Sequence, residues 1–141
     1  MSRAKNCLTI HVDGASRGNP GPAGIGVVIE DGQGIAKARI SGYIGETTNN
    51  QAEYRALIVG LREAAKLKAA HVDIRTDSKL LAEQVQGNYK VRNANLRLLF
   101  QRVKQLLADF ESFTITFIPR YQNAAADALA NQALDRHSKG V

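Results

Sequence analysis

Four acidic residues stand at positions where a charged side chain is unusual. Asp13 and Asp77 each follow an alternating apolar run that predicts a strand, so both come at the carboxyl end of a rigid element. Glu53, expected in the first turn of a helix, and Asp127 share the inward-facing side of predicted helices with apolar residues. A single acid of this kind is simply explained as a helix-dipole partner or a loop residue, but four together indicate a shared site.

The chemistry open to such a group of carboxylates depends on cations. Carboxylates that lie close together repel one another unless positive charge neutralises them. Hard oxygen ligands without accompanying Cys or His favour Mg²⁺ or Mn²⁺ over Zn²⁺. Two such ions that bridge a phosphate can activate a water molecule on one side and stabilise the leaving oxygen on the other. The four acids therefore predict metal-dependent phosphodiester hydrolysis.

The hydrophobic pattern predicts the elements that must hold these acids. The predicted strands are 6–12, 24–30, 35–44, 72–76 and 113–118, and the predicted helices are 50–68, 78–85, 96–107 and one from about 124 onwards. The Gly- and Pro-rich stretch 14–22 is expected to be a loop. A hairpin followed by strand–helix alternation predicts an α/β fold, with helices flanking a mixed sheet. In such sheets ligands bind beyond the carboxyl ends of the parallel strands, where Asp13 and Asp77 are expected.

Three glycines require separate explanations. Gly60 falls inside a predicted helix, where glycine is destabilising, and this indicates close packing against a neighbouring element. Gly24 and Gly26 are spaced like part of a nucleotide-binding loop, but they open a strand and the remaining glycine of that motif is missing. We therefore assign them no binding function.

Length, charge and cysteine content limit the classes of protein to which this chain can belong. The 141 residues suit a single domain covering 1–141, and 19 Lys and Arg against 13 Asp and Glu give a formal charge of +6, which favours a polyanionic partner. Cys7 is the only cysteine, so no disulfide can form within the chain and a reducing compartment is expected. The N-terminal residues lack the apolar core of a signal peptide, and no apolar run has the length of a membrane span. These features predict a soluble, cytoplasmic protein.

The motifs around the four acids resemble those of the ribonuclease H type 1 family. The matching segments are DGASRGNPGP at 13–22, TTNNQAE at 47–53, TDS at 76–78 and NAAADALA at 123–130. They occur in the family's order and span almost the whole chain. The resemblance implies a five-stranded mixed sheet in the order 3-2-1-4-5, with strand 2 antiparallel. It also implies hydrolysis of the RNA strand of RNA/DNA hybrids, with products that end in 5′-phosphate and 3′-hydroxyl.

The same resemblance implies roles for individual residues. Two ions, Mg²⁺ or Mn²⁺, would be held by Asp13, Glu53, Asp77 and Asp127, with Glu53 near the ribose 2′-hydroxyl of the cleaved strand. Amide side chains suit contacts to the minor groove of the hybrid, whereas Asn49 could equally cap its helix. Thr48 matches a position that helps to hold a phosphate of the DNA strand. The residues expected to contact substrate are Gly14, Asn19, Thr48, Asn49, Asn50 and Ser78.

The chain departs from the family pattern in two places. Many bacterial members carry a basic, Trp-rich insertion between the second and third helices, but here only residues 86–95 connect them and the chain has no Trp. Lys90, Arg92 and the positive charge spread along the chain would then have to supply affinity for the phosphate backbone, and weaker hybrid binding is expected. Relatives also have a histidine-bearing loop before the last acid, whereas residues 118–123 contain no histidine. Arg120 is the nearest substitute, in an electrostatic role, unless it is simply a surface arginine.

Two other functions remain open at the level of sequence. A nuclease of the same fold could prefer double-stranded RNA or RNA–DNA junctions, because a fold does not fix a substrate. A hybrid-binding protein without catalysis is a second alternative, which the complete set of four acids disfavours. We expect a monomer that binds an RNA/DNA hybrid without an obligatory protein partner.

Overall fold

Five strands form one mixed sheet in the computed structural model, which describes residues 6–139. The strands are β1 (Cys7–Ser16), β2 (Gly21–Glu30), β3 (Ala36–Thr47), β4 (His71–Thr76) and β5 (Ser112–Phe117). Their order across the sheet is β3-β2-β1-β4-β5. The pairs β1–β2 and β2–β3 are antiparallel, whereas β1–β4 and β4–β5 are parallel. The predicted fold, strand order and antiparallel strand 2 are confirmed.

Four helices cover the two faces of this sheet. They are α1 (Asn49–Lys66), α2 (Lys79–Gln86), α3 (Ala94–Leu107) and α4 (Ala124–Lys139), and a short 3₁₀ turn, Arg120–Asn123, precedes α4. Successive strand residues point to opposite faces, so in β2 Val27 lies towards α1 while Gly26 lies against α4. No helix within residues 6–139 is long and apolar enough to cross a membrane.

The helix α1 packs on the central strands through its apolar stripe. Leu57, Leu61 and Ala64 are fully buried there, as their helical spacing predicts. A Cβ atom on Gly60 would lie 2.9 Å from Cγ2 of Ile10 in β1. The absence of a side chain at Gly60 therefore lets α1 approach the sheet closely, which confirms the explanation from sequence.

The first hairpin is longer than predicted. The strand β1 continues through Asp13 to Ser16, and β2 begins at Gly21, so only residues 17–20 connect them. The prediction of a loop from Gly14 onwards was wrong, because residues 13–16 pair in register with residues 23–26. Asp13 consequently lies within a paired strand instead of just beyond its end.

Candidate active site

The acidic residues line a cleft of about 420 Å³ at the carboxyl ends of the parallel strands. Asp13 comes from β1, Asp77 directly follows β4, Glu53 is the fifth residue of α1, and Asp127 lies in the first turn of α4. Glu53 therefore lies just beyond the first helical turn in which it was expected. Ligand oxygens of Asp13, Glu53 and Asp77 lie within 4.8 Å of one another. Asp127 lines the same cleft outside this group of three.

The close contact between β1 and α1 places Glu53 over Asp13. The main-chain N–H of Gly14 donates a hydrogen bond of 2.8 Å to Oε1 of Glu53. A Cβ atom on Gly14 would lie 2.2 Å from the main-chain oxygen of Ala52. Only glycine leaves room for this contact, so Gly14 supports the cluster through its backbone.

Asp13 carries an unsatisfied oxygen in the centre of the cluster. Its side chain is 5% exposed, and its Oδ2 atom is buried without a hydrogen-bond donor among residues 6–139. Buried polar atoms are almost always hydrogen-bonded, so such an atom needs another partner. A divalent cation fits this position, because all the neighbouring ligand atoms are carboxylate oxygens.

The electrostatics of the cluster support the same interpretation. Burial raises the pKa of Asp13 to about 9, and repulsion from Glu53 and Asp77 adds to the effect. Burial also raises the pKa of Glu53 to about 8, although the hydrogen bond from Gly14 opposes the shift. The pKa of Asp77 is raised by burial too, against a lowering contribution from the Asn123 amide. Asp13 and Glu53 therefore hold protons near neutral pH unless a cation favours their ionised forms.

The fourth acid has cationic and polar neighbours. Arg120 places its Nη2 atom 3.4 Å from Oδ1 of Asp127, and the Arg120 side chain is 78% exposed. The Asn131 side chain donates to the main-chain oxygen of Asp127 at 3.0 Å. Arg120 therefore lies in the cleft beside the last acid, where it could contact a bound anion.

The sequence and fold can be compared with known proteins. A family profile described as reverse transcriptase-like matches residues 11–133. The chain is 46% identical to ribonuclease HI of Halobacterium salinarum over 125 residues, which cover 89% of this chain and 63% of that protein. It is 31% identical to ribonuclease H of Syntrophotalea carbinolica over 95% of each protein. The chain belongs to the ribonuclease H type 1 family.

Solved ribonuclease H structures match over nearly all of this chain. Ribonuclease H1 of Halobacterium salinarum has a TM-score of 0.89 at 44% identity, covering 92% of this chain and 98% of that one. LC11 ribonuclease H1 in complex with an RNA/DNA hybrid has a TM-score of 0.88 at 42% identity, with the same coverages. A bifunctional protein of Mycobacterium tuberculosis is 43% identical over 131 residues, which are 91% of this chain. The chain spans 63% of the length of the Halobacterium ribonuclease and 35% of the length of this bifunctional protein.

In this member of the ribonuclease H family, two of the predicted substrate asparagines are joined beside the cleft. The main-chain N–H of Asn49 donates to Oδ1 of Asn19 at 2.9 Å, and Oδ1 of Asn49 accepts from the N–H of Ser16 at 2.9 Å. Asn50 is the next residue of α1 and is exposed. Asn49 and Gly14 line the acidic cleft itself, whereas Asn19 and Asn50 do not.

The predicted hydroxyl residues have local structural partners. The Oγ1 atom of Thr48 caps α1 by accepting from the N–H of Gln51 at 3.2 Å. Asn49 therefore does not cap this helix, contrary to the alternative left open from sequence. The Oγ atom of Ser78 likewise caps α2 by accepting from the N–H of Leu81. Both hydroxyls thus contribute to the two helix starts that border the acids.

Sequence reasoning missed one buried residue of the site. Asn123, at the end of the 3₁₀ turn, is 1% exposed, and its amide nitrogen donates to the main-chain oxygen of Val12 at 2.8 Å. The signal in the sequence is its position four residues before Asp127, inside one of the family motifs. Asparagine is mostly exposed in proteins, so its burial could not be inferred from its type.

Proposed function

We propose that this protein is an endonuclease that hydrolyses the RNA strand of RNA/DNA hybrids with two Mg²⁺ or Mn²⁺ ions. The products would end in 5′-phosphate and 3′-hydroxyl groups. The observation that carries the proposal is the Oδ2 atom of Asp13. It is buried without a hydrogen-bond donor among the described residues, and it lies beside the Glu53 and Asp77 carboxylates in an open cleft. The structural likeness to LC11 ribonuclease H1 in complex with an RNA/DNA hybrid supports the choice of substrate.

The carboxylates would divide the binding of ions between them. Asp13, Glu53 and Asp77 would hold one ion, and Asp127, which lines the same cleft, would hold the second together with Asp13. When bound, the ions would activate a water molecule for attack on the scissile phosphate and stabilise charge on the leaving oxygen. Glu53, fixed by the N–H of Gly14, would also accept a hydrogen bond from the ribose 2′-hydroxyl.

Polar residues around the cleft would position the hybrid. Asn49 and Asn19, already joined by a hydrogen bond, and the exposed Asn50 would contact the minor groove through their amides. Amides can donate and accept, which suits a protein that binds many base sequences. Thr48 and Ser78 would act at the starts of their helices, where main-chain N–H groups favour a phosphate.

The proposal is tested with end-labelled RNA/DNA hybrid, RNA duplex, DNA duplex, RNA–DNA junction and single-stranded RNA. Each is incubated with Mg²⁺, Mn²⁺ or chelator, and we expect cleavage of the hybrid only, and only with a metal ion. Asp77→Asn is expected to remove cleavage. The matched control is Asp109→Asn, which alters an exposed acid just before β5. This acid lies at the amino ends of the parallel strands, opposite the cleft, so its replacement should leave cleavage intact.

Each alternative function gives its own result in this assay. Cleavage of RNA duplex or of junctions in preference to the hybrid would assign a different substrate to the same cleft. Tight hybrid binding with no cleavage under any metal condition would assign a binding function. Cleavage that persists in chelator, or in Asp77→Asn, would refute the two-metal mechanism.

Arg120 provides a separate prediction about charge in the cleft. Its guanidinium would interact with a phosphate of the substrate, because it is exposed and reaches Asp127 at only 3.4 Å. Arg120→Ala is expected to lower turnover at saturating hybrid by about a hundredfold, the low end of the loss that follows removal of an electrostatic contact to the reacting group. Arg120→Lys should retain part of the rate. Unchanged turnover in Arg120→Ala would make this residue an ordinary surface arginine.

A further inference from the structure

The side chain of Asn123 connects the two strand ends that carry Asp13 and Asp77. Its amide nitrogen donates to the carbonyl of Val12, the residue before Asp13, at 2.8 Å. Val12 pairs with Thr76, the residue before Asp77, in the parallel ladder between β1 and β4. The amide also lies close enough to Asp77 to lower the pKa of its carboxyl group. An asparagine amide has two N–H donors, so the N–H that does not bind Val12 is available to the Asp77 carboxylate.

His11 lies beside the oxygen of this amide. Its Nδ1 atom lies 3.3 Å from Oδ1 of Asn123, and its Nε2 atom lies 4.0 Å from Oε1 of Glu30. A proton on Nδ1 lets His11 donate to the Asn123 oxygen. A flipped amide would instead direct its oxygen at the carbonyl of Val12, where the two acceptors would repel. His11 therefore favours the rotamer in which the NH₂ group faces Val12 and Asp77.

A neutral donor has an advantage at this place in the cluster. Asp13, Glu53 and Asp77 repel one another, so a carboxylate without a support would rotate away from its neighbours. A lysine or arginine could hold it, but its positive charge would also compete with a bound cation. The Asn123 amide adds no net charge, so it can hold Asp77 in place and leave the negative charge available to the ion.

We infer that Asn123, oriented by His11, is a positioning residue that holds the Asp77 carboxylate against the Asp13-bearing end of β1 in the arrangement that binds cations. The inference rests on the proposed function, because it assumes that the cluster binds metal ions. Neither residue touches the substrate in this scheme. Removal of a hydrogen-bonding partner of a ligating carboxylate commonly weakens metal affinity by about 10-fold to 100-fold.

The direct test measures the affinity for Mn²⁺ by isothermal titration calorimetry on wild type, Asn123→Ala and Asn123→Leu. Leucine has nearly the shape of asparagine without its donors, so it keeps the test informative if alanine prevents folding. We expect affinities about 10-fold to 100-fold weaker than wild type, and a lower kcat on hybrid with little change in KM. His11→Phe is expected to show the low end of this loss, and His11→Gln, which keeps an N–H donor, should recover part of it.

The matched control is Gln84→Ala. Gln84 is another buried amide, 4% exposed, and it accepts a hydrogen bond of 2.6 Å from the Tyr54 hydroxyl without lining the acidic cleft. This variant should melt at a lower temperature and bind Mn²⁺ like wild type. An equal loss of Mn²⁺ affinity in Gln84→Ala would overturn the inference, because general destabilisation would explain both results.

The remaining outcomes separate this inference from the proposed function. Unchanged Mn²⁺ affinity in both Asn123 variants, together with normal hybrid cleavage by wild type, would overturn the inference alone. Weaker Mn²⁺ binding by the Asn123 variants, with no hybrid cleavage by wild type, would overturn the proposed function alone. A wild-type protein that does not bind Mn²⁺ would overturn both, and wild-type affinity in His11→Phe would remove His11 from the scheme.

Discussion

At the scale of single residues, the acidic cluster makes the metal-free fold less stable. Asp13 has an ordinary pKa of 3.8 that rises to about 9 in the folded protein, and Glu53 rises from 4.5 to about 8. Both groups therefore bind protons more tightly when folded than when unfolded. Between about pH 4 and pH 8 the unfolded chain has lost these protons and the folded chain retains them, so the free energy of unfolding falls as pH rises.

Asp13→Asn tests this linkage, because it removes the titrating group and keeps the shape of the side chain. In chelator, the melting temperature of wild type should fall relative to that of the variant as pH rises from about 5 to 8. At pH 7 the variant should melt higher by about 2–4 °C or more, which corresponds to about 1 kcal/mol in a domain of this size. Saturating Mg²⁺ should raise the melting temperature of wild type more than that of the variant.

Differential scanning calorimetry at several pH values would measure these shifts, with the exposed-site variant Asp109→Asn as the control. If the melting temperatures of wild type and Asp13→Asn changed in parallel between about pH 5 and pH 8, Asp13 would not hold a proton in the folded protein. A lower melting temperature of Asp13→Asn at pH 7 in chelator would contradict the prediction most directly.

The sequence predicted the charged residues of the site better than the uncharged residues that hold them in place. Asp13 and Asp77 could be placed because strand ends converge at one edge of a parallel sheet, and this is a property of local pattern and topology. Asn123 could not be placed in this way. Its burial depends on the approach of the 3₁₀ turn to the carbonyl of Val12, a contact between residues 111 positions apart. Gly14 was placed beside the substrate by the resemblance, and its further role of letting α1 approach β1 depends on a contact with Ala52 that the sequence does not indicate.

At the scale of elements, two glycines determine how closely α4 packs on the sheet. A Cβ atom on Gly26 would lie 2.0 Å from the main-chain oxygen of Ala126, and one on Gly24 would lie 2.6 Å from that of Ala130. The backbone of α4 therefore rests directly on β2, and this contact positions Asp127 over the cleft. Gly24 and Gly26 lie in a strand, as predicted, but their packing function could not be inferred from the sequence.

Gly26→Ala should consequently separate α4 from the sheet. The added methyl group meets helix backbone, which cannot rotate away as a flexible side chain could, so we expect a loss of about 3 kcal/mol in the free energy of unfolding. Hybrid cleavage should fall as well, because Asp127 moves with α4. Urea denaturation and the hybrid assay would measure the two effects.

Gly32→Ala is the matched control, since a Cβ atom at Gly32 would have no heavy atom of residues 6–139 within 4 Å apart from its two chain neighbours. We expect its free energy of unfolding to change by less than about 1 kcal/mol. If Gly26→Ala were as stable as Gly32→Ala, α4 would not pack as closely on β2 as described above.

The order and type of the elements followed from sequence periodicity, whereas the extent of the first hairpin did not. Glycine and proline between residues 14 and 22 favour a loop in isolation. In the folded chain Ser16 pairs with Ala23, and glycines in this hairpin serve close packing. Strand pairing of this kind depends on neighbouring elements, so local composition gave the wrong boundary.

At the scale of the whole molecule, an acidic cleft lies in a chain with a formal charge of +6. The acids would attract cations locally, and the exposed Lys and Arg residues would attract the phosphates of a nucleic acid around them. Lys90 and Arg92 are both exposed in the short connection between α2 and α3. The resemblance implied a longer basic insertion at this place in many relatives, so we propose these two residues as candidates for contacts to the backbone of the hybrid.

The salt dependence of binding tests that assignment. Each contact between a cation and a phosphate contributes close to one unit to the slope of log K against log salt concentration. Lys90→Ala and Arg92→Ala together should therefore make this slope shallower by about two units and weaken binding equally for all base sequences. Fluorescence anisotropy with a labelled hybrid, in Ca²⁺ or with an Asp77→Asn background to prevent cleavage, would measure the slope.

A charge-matched control separates local contacts from the general field of the protein. Lys66→Ala removes one charge at the far end of α1, about 20 Å along the helix from Glu53. A screened long-range field would make Lys66→Ala and Lys90→Ala equivalent, since both lower the net charge by one unit. Direct phosphate contact would change the slope in Lys90→Ala and leave it unchanged in Lys66→Ala. Equal slopes in these two variants would mean that the hybrid does not reach the connection between α2 and α3. The affinity for the hybrid would then have to come from the cleft and the asparagines beside it.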